Sequence, residues 1–573
     1  MADQFSHDLV VVGGGLAGLM AAYRASRHSE LKIALVSKIH PLRSHTIEAT
    51  GAVNLAIPRL NKEDSWEMHA FDTVKGSDYL ADQDTVEILC KEGPEVFVEL
   101  ANLGACITRD GKGHMYPDFN AKGGAASVPR VYDVILNTAR LFMRPLYEFL
   151  IEQANVTFFD EYRLLSLATD GDACCGVIVM NVEKGEVVGL SAKAVLLATG
   201  GLGWIYGHTT NARTCTGDGT AIAYRAGVPF KDPEFVQFHP TSLYGTDILM
   251  TEICRAAGGY LYNSKNERFM KRYAPQFMER ASRDVVARGI LAEIVEGRGF
   301  EYDAESGTGY VLLDLRHLKK EQLEMLHQVN EFTQRYRGIN IARDPIPIIP
   351  AQHFMMGGLA TDVSGRTKML GLYAAGECAC LSVHGANRLG ANALVECAVF
   401  GRRAGEEASK HALSGVIHRI PDDQLEKSED EITRMLDRRD GVDPLKIEKR
   451  LKDVMWLDVG LFRDSLRLQR ARGAIRELKS QYKNVHIQDS SRIFNTALGK
   501  VLELRNMLDL AEAIVIGALA RQESRGSHYR FDFPKRDDLH YLTHTLINYD
   551  ENEPRLSYEP VRITRWQPTE RKY

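Results

Sequence analysis

Four short apolar runs, widely separated along the chain, predict buried strands. They cover residues 8–12, 32–36, 193–198 and 372–375, and each is followed by Gly, Ser or Thr. Continuous apolar runs bounded by such residues are typical of parallel strands covered on both faces. The first run leads into a helix rich in Ala, Leu and Met. We therefore predict an α/β fold with a Rossmann-like sheet assembled from separated pieces of the chain.

From about residue 414 to residue 530 the apolar positions follow a helical period instead. Spacings of four, seven, seven and three residues predict one apolar helix face, formed by Leu457, Leu461, Leu468, Ile475 and Leu478. The other faces are dense in Arg, Glu and Lys, so a helical domain is expected. From residue 531 the chain is polar, aromatic and irregular, which indicates a separate C-terminal segment.

A G-x-G-x-x-G turn follows the first predicted strand and opens the helix. Its glycines are Gly13, Gly15 and Gly18, and they would let the backbone approach a pyrophosphate at the helix N-terminus. The second strand ends at Ser37 and Lys38, where an acidic residue for a ribose is expected. A Ser hydroxyl or a backbone group would then take that role, and the motif predicts a dinucleotide site.

Later strand ends supply further candidate contacts for the same cofactor. Thr199 and Gly200 follow the third strand, and Asp218 could bond a ribose or a ring edge. Glu377 ends the fourth strand, where a carboxylate can accept ribose hydroxyl groups. His45 follows the second strand at a place where a flavin ring could sit, so its imidazole is a candidate covalent tether.

Composition narrows the function classes. The chain has 573 residues, 44% hydrophobic and 26% charged, with net charge -5, and no basic cluster suggests nucleic acid. Its nine cysteines form neither a disulfide framework nor zinc or iron–sulfur spacings, so a reducing compartment is expected. Because the residues before the first strand have neither a signal h-region nor an Arg-rich transit segment, no targeting segment is expected. No run approaches the ~20 apolar residues of a membrane span, so membrane association would need another anchor.

Ordered motifs then point to one family. They are Ser44–Thr46, Gln237–Thr241, Thr251–Glu252 with Arg255, Ser282–Arg288, His353–Gly358, Gly376–Glu377, Ala386–Asn392, Glu523–His528 and Asp532–Pro534. With them, essentially the whole chain closely resembles the flavoprotein subunit of succinate dehydrogenase and fumarate reductase. The resemblance implies a Rossmann-like FAD-binding domain in two parts, 1–237 and 345–413. An inserted α+β capping domain, 238–344, a helical domain, 414–530, and a C-terminal segment, 531–573, complete the expected organisation.

The resemblance also implies FAD, covalently attached through His45. An imidazole nitrogen would attack the activated benzenoid methyl carbon of the flavin, and the bond should raise the flavin potential. The implied cofactor-binding residues are Gly13, Gly14, Gly15, Leu16, Ala17, Gly18, Ser37, Lys38, Ser44, His45, Thr46, Thr50, Gly51, Ala52, Thr199, Gly200, Asp218, Glu377, Asn392, Ala393 and Leu394.

The implied chemistry is dehydrogenation of a dicarboxylate. Substrate-binding candidates are His239, Thr251, His353 and Arg388, and Arg suits two-point binding of a carboxylate. One methylene loses a hydride to flavin N5, and its neighbour loses a proton to Arg283. Glu252 and Arg255 would relay that proton towards solvent. Because Arg normally stays protonated, this role needs burial and nearby positive charge to favour the neutral form.

The implied partners are an iron–sulfur subunit and membrane anchor subunits carrying quinone, at the cytoplasmic side of a prokaryotic inner membrane. Two alternatives stay open: a soluble L-aspartate oxidase-like enzyme, which typically lacks the tethering histidine, and a non-catalytic flavin-binding partner. The chain also departs from the family at Thr50–Ala52, Lys122–Gly124, residues 134–138 and Ala256–Gly259. These departures leave the choice among close dicarboxylates and the physiological direction open.

Overall fold

The computed structural model of the chain describes residues 4–49, 53–106, 127–128, 130–132 and 138–571. The strands are β1 (Gln4–Ser6), β2 (Leu9–Val12), β3 (Ile33–Ser37), β4 (Val53–Asn54), β5 (Val131–Tyr132), β6 (Val156–Asp160), β7 (Tyr162–Asp170), β8 (Ala173–Asn181), β9 (Val187–Ser191), β10 (Ala194–Leu197), β11 (Phe230–Lys231), β12 (Val236–Leu243), β13 (Tyr260–Tyr262), β14 (Phe300–Asp303), β15 (Thr308–Asp314), β16 (Ile346–Met355), β17 (Gly358–Ala360), β18 (Leu372–Ala374), β19 (Ala379–Cys380), β20 (Thr543–Asn548) and β21 (Arg555–Pro560). The helices are α1 (Leu16–Ser26), α2 (Trp66–Gly76), α3 (Gln83–Asn102), α4 (Thr138–Ile151), α5 (Asp218–Arg225), α6 (Ile253–Ala256), α7 (Met270–Tyr273), α8 (Arg283–Glu293), α9 (Lys320–Met325), α10 (His327–Arg337), α11 (Ala393–Ser414), α12 (Asp422–Asp437), α13 (Pro444–Val459), α14 (Ser465–Tyr482) and α15 (Thr496–Ala520).

The central sheet is parallel and has the order β18-β10-β2-β3-β6. Its β2, β3, β10 and β18 are the four apolar runs of the sequence, and every residue in them is buried. The predicted α/β fold is confirmed. Strand β6 was missed, because it lies at the sheet edge and its half-exposed residues form no continuous buried run.

Helices α1 and α11 pack closely on this sheet. A Cβ at Gly401 would lie 2.5 Å from the carbonyl oxygen of Ala17, and one at Gly405 would lie 2.5 Å from that of Ala21. Any larger residue would therefore push the helices apart. The close contact brings the first turn of α11 to the carboxyl ends of the parallel strands.

The inserted segment carries a second sheet, ordered β12-β16-β15-β13 with β14 paired to β15. Helix α8 packs against β12 and β16. Strand β16 pairs with β12 on one side and β15 on the other, so this sheet continues beyond residue 344. The domain limits expected from the sequence remain predictions.

The five residues of the apolar face predicted over 457–478 pack in one hydrophobic cluster, but they do not lie on one helix. Leu457 lies on α13, Leu461 lies in the following loop, and the other three residues lie on α14. The loop holds a fully buried Arg463. Its guanidinium donates to the carbonyl groups of Gly460 and Glu234, at 3.1 and 2.7 Å. The chain leaves the helical path here because these bonds require Arg463 to point into the interior.

The C-terminal segment is also more regular than the sequence suggested. Strands β20 and β21 form an antiparallel pair, and β20 joins the sheet β19-β17-β11-β20-β21. The polar residue His544 is buried there, 2.7 Å from Asp232 and 3.2 Å from Asp82. Partners distant in sequence satisfy this polar strand, so its hydrophobicity pattern alone could not reveal it.

Candidate active site

A cradle of backbone lies at the carboxyl ends of the central strands. Gly13 has φ +120°, and a Cβ there would lie 2.1 Å from the carbonyl oxygen of Ala198. Only glycine can hold this conformation at this distance. The buried Thr199 Oγ1 has no hydrogen-bond partner among the described residues. A close-fitting backbone with an unsatisfied hydroxyl fits the phosphates and hydroxyl groups of a dinucleotide.

Most of the predicted cofactor residues line this cradle. They are Gly13, Gly14, Gly15, Leu16, Ala17, Ser37, Lys38, Ser44, His45, Thr46, Thr199, Gly200, Asp218 and Glu377. Gly18 serves the turn instead, since a Cβ there would lie 1.9 Å from the carbonyl oxygen of Gly13. Ala393 and Leu394 line a neighbouring cavity. Thr50, Gly51 and Ala52 lie outside the described residues, as do Lys122–Gly124 and residues 134–137.

Asn392 lies in the protein interior, away from the walls of both cavities. Its amide donates to Thr73 at 3.0 Å and accepts from Asn54 and His69 at 2.9 and 3.0 Å. These bonds fix the start of α11 against α2 and β4. Contact of Asn392 with the cofactor remains a prediction.

Lys38 and Asp218 form an ion pair at one end of the cradle. Lys38 Nζ lies 2.7 Å from Asp218 and 3.0 Å from Glu503 of α15. Burial opposes ionisation of Asp218, yet the charge of Lys38 holds the pKa of this carboxyl below its usual value. The pair therefore links the cradle to the helical segment, which the sequence did not indicate.

Glu377 lies between the cradle and the neighbouring cavity and lines both. It accepts the backbone N–H of Met355 at 2.9 Å. Burial raises the pKa of Glu377 to about 7. Near neutral pH this carboxyl can therefore either donate or accept a hydrogen bond to a bound hydroxyl group.

His45 also lines both cavities, at the start of a short 3-10 turn. Its Nδ1 accepts the backbone N–H of Ala212 at 3.2 Å, and Asn211 Nδ2 lies 3.4 Å from its Nε2. Burial lowers the pKa of His45 to about 4. The imidazole is neutral at physiological pH. With Nδ1 accepting from Ala212, its ring proton lies on Nε2, which would lose that proton on bonding to a carbon atom.

The predicted substrate residues share the second cavity. Its walls include His239, Thr251, His353 and Arg388, together with Arg283 and Glu252. They come from β12, the segment before α6, β16, the loop before α11, and α8. The cavity shares His45, Thr46, Glu377 and Cys397 with the cradle. A ligand here would therefore lie next to a cofactor bound in the cradle.

Arg388 is buried with an unsatisfied donor. Its Nε has no hydrogen-bond partner among the described residues, and its guanidinium carbon lies 4.3 Å from the ring centre of Phe354. Burial, followed by the nearby charge of Arg283, lowers the pKa of Arg388 to about 9. Arg388 thus stays positive at neutral pH and lacks a full set of partners, as expected for a group that binds an anion.

The two cavity histidines are neutral. Burial is the main reason why the pKa of His239 lies well below its usual value, and the charge of Arg283 is the next. The pKa of His353 also lies well below its usual value, because of burial and then the neighbouring His239. His353 Nδ1 lies 2.8 Å from Thr210 Oγ1. His239 Nε2 is buried without a partner among the described residues. It provides a second unsatisfied polar atom beside Arg388.

Three charged residues form a chain leading away from the cavity. Glu252 Oε2 accepts from Arg283 Nε and Nη2 at 3.0 and 2.8 Å. Its Oε1 lies 3.4 Å from Arg255 Nη2. Burial lowers the pKa of Arg255. The order Arg283, Glu252, Arg255 is the one that the sequence predicted for a proton relay, and that role remains a prediction.

Some residues of the site were not predicted from the sequence. Gln237 Oε1 accepts from Arg283 Nη1 at 3.1 Å, and Gln237 Nε2 donates to the carbonyl group of Arg388 at 2.7 Å. Gln237 and Phe354 belong to motifs already recognised, next to predicted residues, so a signal was present. Asn211 and Ala212 carry no motif and reach His45 only through the fold.

Within the described part of the chain, no group of three or more His, Cys, Asp or Glu side chains is arranged to hold a metal ion. None of the helices described there is long and apolar enough to cross a membrane.

Residues 8–394 match the family described as FAD binding domain, and residues 448–573 match the family described as fumarate reductase flavoprotein C-term. The succinate dehydrogenase flavoprotein subunit of Rickettsia conorii is 39% identical over 577 residues, covering 97% of this chain and 95% of its own. The fumarate reductase flavoprotein subunit of Haemophilus influenzae is 38% identical over 586 residues, covering 99% and 96%. A solved chain of E. coli quinol fumarate reductase superposes with TM-score 0.95 at 35% identity and 99% coverage of each chain. The chain therefore belongs to the succinate dehydrogenase/fumarate reductase flavoprotein family and is an FAD-dependent oxidoreductase of that family.

Proposed function

We propose that this chain is the catalytic flavoprotein subunit of a respiratory succinate dehydrogenase/fumarate reductase that interconverts succinate and fumarate. The observation that carries the proposal is the cavity beside the cradle. It combines the cationic Arg388, the unsatisfied His239 Nε2 and the Arg283–Glu252 pair in one buried space. These are the groups needed to bind a small dianion and to move one proton.

In this proposal Arg388 binds one substrate carboxylate, while His239, His353 and Thr251 bind the other end. A charged guanidinium can form two parallel hydrogen bonds to a carboxylate. The neutral histidines donate from their ring N–H groups without adding charge. Burial strengthens these contacts because water is excluded.

The proton step belongs to Arg283. When succinate is oxidised, Arg283 in its neutral form takes the proton from one methylene as a hydride leaves the other, and a C=C bond forms between them. Bound FAD would supply the hydride acceptor, or the donor in the reverse direction, at N5. Glu252 accepts two hydrogen bonds from Arg283, so it can pass the proton on towards Arg255. In fumarate reduction the same groups would deliver the proton.

We further propose that FAD is held in the cradle and is covalently bound through His45. The glycine turn at residues 13–15 and the hydroxyl of Thr199 would hold the phosphates and the ribose. His45 supports the tether because it is neutral and lies where the cradle meets the substrate cavity. A tether here would also favour the respiratory enzyme over an untethered oxidase.

Electrons would leave through a separate iron–sulfur subunit, since the sequence offers no run of iron–sulfur ligands. Membrane anchor subunits carrying quinone would then place the assembly at the cytoplasmic side of a prokaryotic inner membrane. Relatives named flavoprotein subunits support the presence of partner subunits.

Dye-linked assays on the purified flavoprotein test the proposal. We expect succinate to reduce an artificial electron acceptor, and fumarate to oxidise a reduced dye. L-aspartate should give no activity above background. Turnover of L-aspartate without turnover of succinate would favour the oxidase alternative, and bound flavin without any dicarboxylate activity would favour a non-catalytic partner.

The pH dependence of kcat/KM for succinate should show a falling limb at alkaline pH. Arg388 has its pKa lowered to about 9, so it is charged below that pH and loses its charge above it. Because kcat/KM reports ionisations of the free enzyme, it should decrease as pH rises through about 9. Steady-state kinetics from pH 7 upward would measure this limb.

The variant Arg388→Lys provides the comparison for this limb. Lysine has a lower intrinsic pKa than arginine, so the limb should move to lower pH in the variant. A limb at the same pH in both proteins would show that another group titrates.

A further inference from the structure

The last described residues of the chain form a strap, residues 561–571, across the start of α3. Gln83 is buried there and binds three consecutive backbone groups. Its Oε1 accepts the N–H groups of Thr564, Arg565 and Trp566 at 3.1, 2.8 and 3.0 Å. Its Nε2 donates to the Trp566 carbonyl at 2.7 Å. The strap is therefore fixed in register against the FAD-binding part of the chain.

Beyond this anchor Thr569 and Glu570 are exposed, and the strap reaches Arg571, whose side chain is largely covered. The hydroxyl groups of Tyr79 and Thr569 are 2.7 Å apart. Arg571 Nη2 then lies 3.0 Å from Asp78 and 3.0 Å from Asp284. The side chains of Arg571, Asp78 and Asp284 are only 9%, 7% and 0% exposed. Arg571 thus joins the loop after α2 to the first turn of α8.

Asp284 is the residue next to Arg283, and its carboxylate has a full set of partners. Oδ2 faces Arg571 and also accepts from Arg288 Nη2 at 3.1 Å. Oδ1 accepts from Ser282 Oγ and, at 3.2 Å, from Asn387 Nδ2. Burial opposes ionisation of Asp284, but Arg571 and then Arg288 hold its pKa below the usual value. Of the neighbouring cations, Arg571 thus contributes most to keeping this carboxyl ionised.

An ionised Asp284 orients a chain of amides that ends at Arg283. A carboxylate only accepts hydrogen bonds, so Asn387 must present its NH₂ group to Asp284. Its oxygen then accepts from Gln237 Nε2 at 2.9 Å. This turns Gln237 Oε1 towards Arg283 Nη1, at 3.1 Å. If Asp284 became protonated, Asn387 would lose a charged acceptor and keep only the Gly76 carbonyl at 3.3 Å. Asn387 would then hold Gln237, and through it Arg283, less firmly.

We propose that Arg571 is a positioning residue for Arg283, acting through Asp284, Asn387 and Gln237. This inference rests on the proposed function, in which Arg283 exchanges a proton with the substrate. Through this chain of contacts, the strap of residues 561–571 becomes part of the support of the reacting guanidinium. Arg571 itself does not line the substrate cavity.

The full-length variant Arg571→Gln tests the inference. We expect kcat to fall by about 10- to 100-fold, because a misplaced reacting group loses rate steeply. KM for succinate should change less than about threefold, since the carboxylate-binding groups are unaltered. A new acid limb should appear in the kcat profile, because Asp284 becomes easier to protonate. Arg571→Lys, which keeps the charge, should recover much of the rate.

Arg565→Gln is the matched control. It removes an arginine from the same strap, but one paired with Glu87 near the surface at 2.9 Å. Its kcat and pH profile should equal those of the wild type. A correctly folded Arg571→Gln protein with wild-type kcat and no added acid limb would overturn the inference.

A second comparison removes both members of the buried pair and so avoids an unpaired charge. The double variant Asp284→Asn with Arg571→Gln should have the kcat of Asp284→Asn alone, because Arg571 acts through Asp284. A further tenfold loss in the double variant would overturn the inference.

A wild-type protein without either dicarboxylate activity would overturn the proposed function as well, whereas an active wild type with an unaffected Arg571→Gln would overturn this inference alone.

Discussion

Replacing Arg283 by glutamine is expected to lower kcat by about 100- to 10,000-fold for both succinate oxidation and fumarate reduction, the range that general acid–base catalysis contributes. Glutamine can still accept and donate hydrogen bonds, but it cannot release or take up a proton in the working pH range. The substrate-binding groups stay in place, so KM should change far less than kcat. Steady-state kinetics in both directions would measure the loss.

Arg280→Gln is the matched control for this experiment. Arg280 is exposed and lies three residues before Arg283, just ahead of the same helix. Its kcat should stay at the wild-type value, and both variants should retain flavin. A correctly folded Arg283→Gln enzyme with kcat within tenfold of the wild type would assign the proton transfer to another group.

Replacing His45 by serine is expected to abolish covalent flavin. Wild-type protein that has been denatured and precipitated in acid should keep flavin fluorescence on a gel, whereas His45→Ser should show none. The neutral imidazole, with a pKa near 4 because of burial, is the nucleophile in this proposal. A serine hydroxyl is a weak nucleophile without an activating base. Native His45→Ser should still bind FAD, because the glycine cradle is unaltered.

The rates of succinate oxidation and fumarate reduction in His45→Ser should change with the reduction potential of the flavin. Losing the covalent bond should lower that potential, so His45→Ser should lose succinate oxidation more than fumarate reduction. His40→Ser is the control, since His40 lies in the same loop but bonds Tyr147 at 3.1 Å outside both cavities. Gel fluorescence that survives in His45→Ser would contradict the tether.

Local sequence patterns accounted for the elements nearest the cofactor cradle. β2, β3, β10 and β18 were recognised because each is a continuous buried run that ends in a turn residue. The glycine turn was recognised because its requirement is steric and lies within six residues of chain. β20 was missed, since its buried His544 is satisfied by Asp232 and Asp82, more than 300 residues away.

The break between α13 and α14 was missed for a related reason. Spacing alone extends a helix through residues 457–478, but Arg463 can be buried only if the chain turns inward. The cost of burying an unpaired guanidinium exceeds the small helical preference of the intervening residues. Hydrogen bonds from Arg463 to Glu234 and His528, both distant in sequence, therefore overrode a local pattern.

The candidate site divides in the same way. The residue types for the chemistry, such as the glycines of the turn, His45, Arg283 and Arg388, could be identified from motifs, because chemical identity is a property of each residue. Their meeting at the cradle and the adjoining cavity depends on strands and helices drawn from distant parts of the chain. Folding also decides the neutral state of His45, the lowered pKa of Arg388 and the proposed link from Arg571 to Arg283. The reason is that burial and the proximity of charges exist only once the chain has folded.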